Sequence, residues 1–345
     1  MKQTRKWLAL ALAGALSLSL LAGCAGNQAP GASSASPAPE ETPEAASDAL
    51  VIAEQGIFSA GGTVIESDGT FDVANYYTSR EGSTAHVDHA NVLYQIPEDN
   101  TELPMVFLHG YGQSRMGWMN TPNGREGWSD MFSVWLIDQP RRGEAGQTSV
   151  AGTMTTTPSD QTWYTQFRIG TYLNNEFTYN EGSQFPQGED VLDQFFRQMT
   201  PNTAPYDAKV NANALSSVFE KTGDAVFVRH SQGCGIDWLI SMQSNRVKGI
   251  VAYEPGSGFP FTKSEVSVPI KNADFFGNMK AEEVSMEAFL KLTRFPIVIF
   301  YSDYMTRHAH NDYWRAASEM ADLFAAAVNR ARAADRYNAK KAHSG

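Results

Sequence analysis

The chain has 345 residues, 42% of them hydrophobic, enough for one large α/β domain or two ordinary ones with a sizeable core. Its formal net charge of −11 argues against a nucleic-acid partner, because binding phosphates needs a basic surface that this balance does not supply. Charge and composition do not identify a substrate.

Lys2, Arg5 and Lys6 precede an apolar run from Trp7 to Ala22, and Leu21-Ala22-Gly23-Cys24 closes it with small residues. These are the parts of a secretory signal. Leu-Ala-Gly-Cys resembles a bacterial lipobox, which implies that Cys24 is lipidated and holds a soluble domain to a membrane surface without spanning it. Residues 1–23 are therefore expected to be a lipoprotein signal peptide and 24–48 a lipid-anchored tether. Asn27 to Ala46 fits that role, being rich in Ala, Pro, Ser, Gly and Glu with almost no large apolar side chain to bury. With Cys24 lipidated, Cys234 has no intrachain partner, and a buried structural thiol is its expected role. Order is expected from about Leu50, in a domain covering 49–345.

Ile57 to Ile65, turning at Gly61-Gly62, and Ala90 to Ile96 read as edge strands of a mixed sheet. Leu103 to Gly112, LPMVFLHGYG, is an apolar strand running into a glycine-rich loop, His109-Gly110-Tyr111-Gly112. Ser133 to Gly146, SVWLIDQPRRGEAG, is a second buried strand that ends at Asp138 and a Pro/Gly loop. Arg141 and Arg142 in that loop read equally as a solvated pair or as a contact for a substrate carboxylate. The span from Trp118 to Phe132 leaves room for only a short helix. Residues 151–206 carry many aromatics, among them Trp163, Tyr164, Phe167, Tyr172, Phe177 and Phe185, with only Val191 to Met199 clearly helical. An insertion of this kind is expected to cap a site, its aromatics lining a pocket or packing the cap itself.

Val210 to Thr222 reads as a helix stopped by Gly223. Ala225 to Gly235, AVFVRHSQGCG, then runs as a buried parallel strand into a polar step that starts a helix. A serine at such a turn reads equally as a residue near the cap of a helix N-terminus or as a nucleophile elbow, whose hydroxyl stands exposed above the sheet edge and whose following N–H can stabilise an oxyanion. Gly233 and Gly235 give the room this needs, whereas Arg229 stands where G-x-S-x-G has its first glycine. Ile236, Leu239, Ile240 and Met242 form the buried side of the next helix. Val247 to Gly256 is another strand, with Glu254 at its carboxyl end, where open α/β sheets place their sites. A helix over Met286 to Leu292 and a strand over Pro296 to Tyr301 follow. Asp303, just after that strand, competes with Glu254 as an acid. His308-Ala309-His310-Asn311-Asp312 has metal-ligand character. Trp314, Ala317, Met320, Leu323, Phe324, Ala327 and Val328 mark a long amphipathic helix, and from Arg330 the chain turns into a basic, polar tail.

In order along the chain, HGYG, DQPRRGEAG, RHSQG and the strand ending in Glu254 resemble the α/β-hydrolase superfamily. More narrowly, Leu103 to Asn329 resembles a bacterial secreted-esterase group with a Ser-Glu-His triad whose acid follows the sixth strand. The resemblance implies an α/β-hydrolase fold, a mostly parallel central sheet with helices on both faces and a cap at about 151–206. It further implies Ser231 as nucleophile, Glu254 as acid and the N–H groups of Tyr111 and Gln232 as oxyanion hole. No cofactor is expected, and the substrate is expected to be a small-molecule ester, met at an extracytoplasmic membrane surface.

Enzymes of this group carry a further strand after the long helix, bearing the histidine that takes the serine proton. That strand is absent from this sequence, and a truncation or frame change near Asn329 is the expected cause. None of His230, His308, His310 and His343 is expected to reach the Ser231 hydroxyl, so activity should be very low. Two other readings compete: a non-catalytic binding lipoprotein that keeps the pocket, and a metal-dependent hydrolase using His308 and His310.

Overall fold

The computed structural model describes residues 50–100, 102–154, 158–263, 265, 278–302, 304–305 and 312–343, with backbone alone at 236–237 and 335–343. Cys24, Asp303, His308, His310 and the His343 side chain lie outside what is described, as do the signal and the tether.

Four runs with almost no charge set the centre of the sheet: MVFL in β5 (Met105–Leu108), VWLID in β6 (Val134–Asp138), AVFVRH in β9 (Ala225–His230) and VKGIVAY in β10 (Val247–Tyr253). Strands that are apolar on both faces can be buried only between layers, the condition of a parallel sheet. They are joined by β1 (Ile52–Ala60), β4 (Ala90–Pro97) and β13 (Ile297–Phe300) in the order β1-β4-β6-β5-β9-β10-β13. All pairs from β6 to β13 are parallel, whereas β1–β4 and β4–β6 are antiparallel. β4 is therefore internal rather than an edge strand, paired with β1 on one side and β6 on the other. β2 (Thr63–Glu66) and β3 (Thr84–Val87) form a separate hairpin.

One face of the sheet packs against three helices: α3 (Ala208–Thr222), α4 (Gly233–Gln243) and α6 (Asp312–His343). Leu108, Phe227, Ile250, Trp238 and Phe324 are among the side chains buried there. Asp207 caps α3 by accepting the Lys209 and Val210 N–H groups, and Gly223, at φ +83°, ends it. Trp238 is the largest side chain fully buried on this face, at a position the apolar pattern of α4 did not single out. The basic residues after Arg330 do not form an irregular tail: α6 continues unbroken to His343, because Ala, Arg and Lys are all good helix formers.

The other face buries Phe107, Leu136 and Val228 under Trp118 and Trp128. These tryptophans sit on two 3-10 turns, Arg115–Trp118 and Trp128–Asp130, and no α-helix forms across Trp118 to Phe132. β13 lies at the end of the sheet with the uncharged sequence IVIF, and its Val298 and Phe300 are nearly half exposed. Edge strands are usually guarded by charge or proline, so β13 has the character of an internal strand.

The insertion is more regular than its sequence suggests. α1 (Asp160–Gln166), the hairpin of β7 (Gly170–Leu173) and β8 (Glu176–Tyr179), and α2 (Glu189–Arg197) enclose a small core of Trp163, Tyr164, Ile169, Leu192, Phe195 and Met199. Two-residue strands β11 (Pro260–Phe261) and β12 (Glu282–Glu283), and the short α5 (Met286–Leu290), complete the described elements.

Phe227, fully buried edge-on to Phe219 with ring centroids 5.0 Å apart, tests how tightly the central layer is packed. Phe227→Ala is expected to lower unfolding free energy by about 3–5 kcal/mol, read from urea midpoints.

Candidate active site

Because the four central strands are parallel, their carboxyl ends share one edge. His109 follows β5, Asp138 ends β6, Ser231 follows β9 and Glu254 follows β10. At the turn between β9 and α4, Ser231 has φ +51°, a left-handed backbone that a residue with a side chain seldom adopts. The turn is held on both sides. The Ser231 N–H donates to the Tyr253 carbonyl at 2.9 Å, and the Ser231 carbonyl accepts from the Cys234 N–H at 2.9 Å.

Two glycines set the approach of the neighbouring loop. A Cβ on Gly233 would lie 2.8 Å from the His109 carbonyl oxygen, and one on Gly110 would lie 2.8 Å from His230 Nδ1 and 3.1 Å from the Ser231 Cβ. The HGYG loop thus rests directly on the elbow. Among the described residues neither the Tyr111 N–H nor the Gln232 N–H donates to a backbone carbonyl. Arg229 is accommodated without glycine because its side chain turns into the core, the guanidinium 4.0 Å from the centre of the Trp238 ring.

The loop after β6 pins HGYG from below. Asp138 accepts the Arg115 N–H at 2.8 Å and the Glu144 N–H at 3.1 Å, and Gln139 donates to the His109 carbonyl at 3.3 Å. His109 is buried. Its Nδ1 faces the Gly110 carbonyl at 2.9 Å and so carries the proton, while Nε2 lies 3.6 Å from Asp138. Burial lowers its pKa against the pull of Asp138. Arg141 and Arg142 are neither a solvated pair nor open to a ligand. Arg141 grips Asp88 through two bonds of 2.9 and 3.0 Å, and Arg142 donates to the Arg141 carbonyl at 2.9 Å, its pKa lowered by burial to about 10.

Glu254, also left-handed at φ +49°, accepts the Ser302 N–H at 3.1 Å through one oxygen and the Arg168 guanidinium through the other. Burial works to raise its pKa, but Arg168 and the Ser302 bond outweigh it and hold the carboxyl below its usual range. Arg168 comes from the insertion, packs 5.4 Å from the centre of the Trp314 ring, and had no sequence signal, since only the folded insertion brings it to Glu254.

His230 Nδ1 lies 3.1 Å from Gln113 Oε1, and its ring stacks on Phe167 at 6.0 Å. Burial lowers its pKa to about 4 in spite of Glu254 nearby, so the ring is neutral at pH 7. No hydrogen bond joins the Ser231 hydroxyl to an imidazole among the described residues. A cavity of about 390 Å³ opens beside His230, lined by Trp118, Trp128, Tyr253, Gln113 and His109. Neither Ser231 nor Tyr111 lines it. Tyr111 instead stands 40% exposed, its ring 5.7 Å from that of Trp163 in the cap. Among the described residues no cluster of three or more His, Cys, Asp or Glu has metal-binding geometry.

No family model matches the chain. A probable secreted lipase, phiG, of a fungal species (strain ATCC 74256) is 31% identical over 177 residues, 48% of this chain and 48% of that protein, so the chain matches about half the length of this curated relative. A bacterial esterase solved at atomic resolution superposes with a TM-score of 0.64 at 22% identity, covering 82% of this chain and 84% of that one. At that identity the likeness concerns the fold: a mostly parallel α/β sheet with the elbow at its carboxyl edge.

The Glu254–Arg168 pair gives the edge a pH signature. A carboxylate whose folded pKa is depressed adds stability above its unfolded value, about 4.3, and loses it as pH falls through the lower folded value. Arg168→Met should remove the main lowering influence and leave burial to raise the Glu254 pKa, so the sign reverses: the variant should cost about 3 kcal/mol at pH 7 and regain part of it as pH falls through the raised folded value, read by urea unfolding between pH 3 and 7.

Proposed function

We propose that this chain, an α/β-hydrolase by fold, is an extracytoplasmic serine hydrolase of carboxylic esters, tethered to a membrane through Cys24. The observation that carries the reading is the elbow: Ser231 at φ +51°, packed against the HGYG loop, with the Tyr111 and Gln232 amides unengaged by backbone carbonyls beside it. Ser231 Oγ attacks the ester carbonyl and its proton passes to solvent water, since no imidazole among the described residues is bonded to that hydroxyl. The carbonyl oxygen, now an anion, takes hydrogen bonds from the two amides, and collapse expels the alcohol to leave an acyl-serine that water hydrolyses. The likenesses to a bacterial esterase and a probable secreted lipase support this class and location.

This reading makes the chain a slow catalyst. Among the described residues no imidazole is bonded to the Ser231 hydroxyl, and the acid proposed to orient such a base is engaged by Arg168, so attack by the hydroxyl is slow. A non-catalytic binding lipoprotein is the competing reading, favoured by the same pairing of Glu254.

A fluorophosphonate probe separates the two. Slow phosphonylation that is lost in Ser231→Ala is expected, with p-nitrophenyl butyrate turnover about a thousandfold or more below that of intact enzymes of this class. Absence of labelling after long exposure would favour the binding reading. The anchor has its own check: Cys24→Ser should abolish incorporation of labelled palmitate, and a variant that still incorporates it would remove the lipoprotein reading.

A further inference from the structure

The loop between β2 and β3 exposes a cluster of large apolar and aromatic side chains outside the site. Phe71 is 50% exposed, Val73 74%, Tyr76 54% and Tyr77 87%. The loop is held by its own bonds. Ser67 N–H donates to the Ser83 carbonyl and Gly82 N–H to the Asp68 carbonyl, both at 2.9 Å, while Asp72 caps the 3-10 turn Val73–Asn75 through the Ala74 N–H at 2.8 Å. Tyr76 and Tyr77 lie with ring centroids 4.1 Å apart. The side chains are thus presented by a fixed turn.

Register places the base of the hairpin. Ala60 pairs with Ala90, and Asn91 with Asp138, so the end of β1 that leads into the hairpin lies at the sheet edge that carries Ser231. The start of β1 lies at the opposite edge, where Ile52 pairs with Pro97. That edge is acidic, with Glu98, Asp99 and Glu102 exposed. Nine residues of β1 span about 30 Å. The 25 residues from 24 to 48 can span at most about 85 Å of chain, longer than the roughly 30 Å between the two edges.

We propose that residues 67–83 form a membrane-contacting loop that sets Phe71, Val73, Tyr76 and Tyr77 among the headgroups of a zwitterionic phospholipid bilayer and turns the edge bearing Ser231 toward it. Aromatic rings with a polar tip favour that layer, where the ring leaves water and the hydroxyl keeps a partner. Glu66, Asp68, Asp72 and Glu81 against the single cation Arg80 make the segment 66–83 acidic, which selects zwitterionic over anionic lipid. The proposal rests on the lipoprotein reading for delivery to the membrane.

The test uses the full chain attached to phosphatidylcholine vesicles, with an environment-sensitive fluorophore on Tyr77→Cys or, at the opposite edge, on Leu103→Cys. Cys234 is fully buried, so the introduced thiol takes the label. Doxyl-labelled lipid should quench the label at position 77 by about twofold or more and leave the label at 103 unaffected. A label on Val73→Cys should lose most of its quenching when Phe71→Ser and Tyr76→Ser are added, and quenching at 77 should fall when phosphatidylglycerol replaces phosphatidylcholine. Equal quenching at 77 and 103, or none at 77, overturns the proposal. Palmitate incorporation is measured on the same preparation. If Cys24 is not acylated, Cys24→Ser is added so that only the introduced thiol is labelled, the free chain is mixed with the vesicles, and the same comparison of 77 with 103 decides the loop independently of the anchor.

Discussion

The left-handed backbone at Ser231 is the constraint around which the site edge is arranged. Such a conformation costs of the order of 1–3 kcal/mol for a residue with a Cβ, and it persists only where surrounding contacts leave no other path. Here the path is closed from three sides. β10 accepts the Ser231 N–H, α4 starts by donating back to its carbonyl, and Gly233 and Gly110 bring the HGYG loop so close that neither position can hold a side chain. The loop is fixed in turn by Asp138 and Gln139 from the next strand. A strained serine, two amides and a glycine-lined approach therefore belong to one packing problem.

Charge is handled at this edge by pairing rather than by solvation. Asp88 with Arg141 and Glu254 with Arg168 are nearly dry pairs, in which each partner offsets the desolvation of the other. The second pair has a functional consequence. Arg168 belongs to the insertion, so the insertion and the carboxylate after β10 are tied together, and an imidazole that sought Glu254 would have to compete with a guanidinium already bonded to it. His230 is held neutral on the other side by burial, its Nδ1 directed to Gln113.

Much of this was legible in the sequence because it is carried by local rules. Uninterrupted apolar runs mark parallel strands, Gly223 stops a helix, and His-Ser-Gln-Gly after a buried strand marks a turn. What escaped depends on contacts across the chain. Arg168 meets Glu254 over 86 positions, Arg141 meets Asp88 over 53, and no pattern within either segment announces the partner. The interior place of β4 escaped for a similar reason, since alternation shows that one face is wet but not how many neighbours a strand has. The helix through His343 was hidden by polarity: side chains that suit a solvated tail are also good helix formers.

The central claim is that the Tyr111 and Gln232 amides converge on the point where an oxyanion would form on a group bound to Ser231. A crystal structure of the phosphonylated protein tests it directly. The account requires phosphorus bonded to Ser231 Oγ and one phosphonyl oxygen at about 2.7–3.1 Å from both nitrogens. A phosphonyl oxygen turned to solvent with both amides unused, or the adduct on another residue, would contradict it.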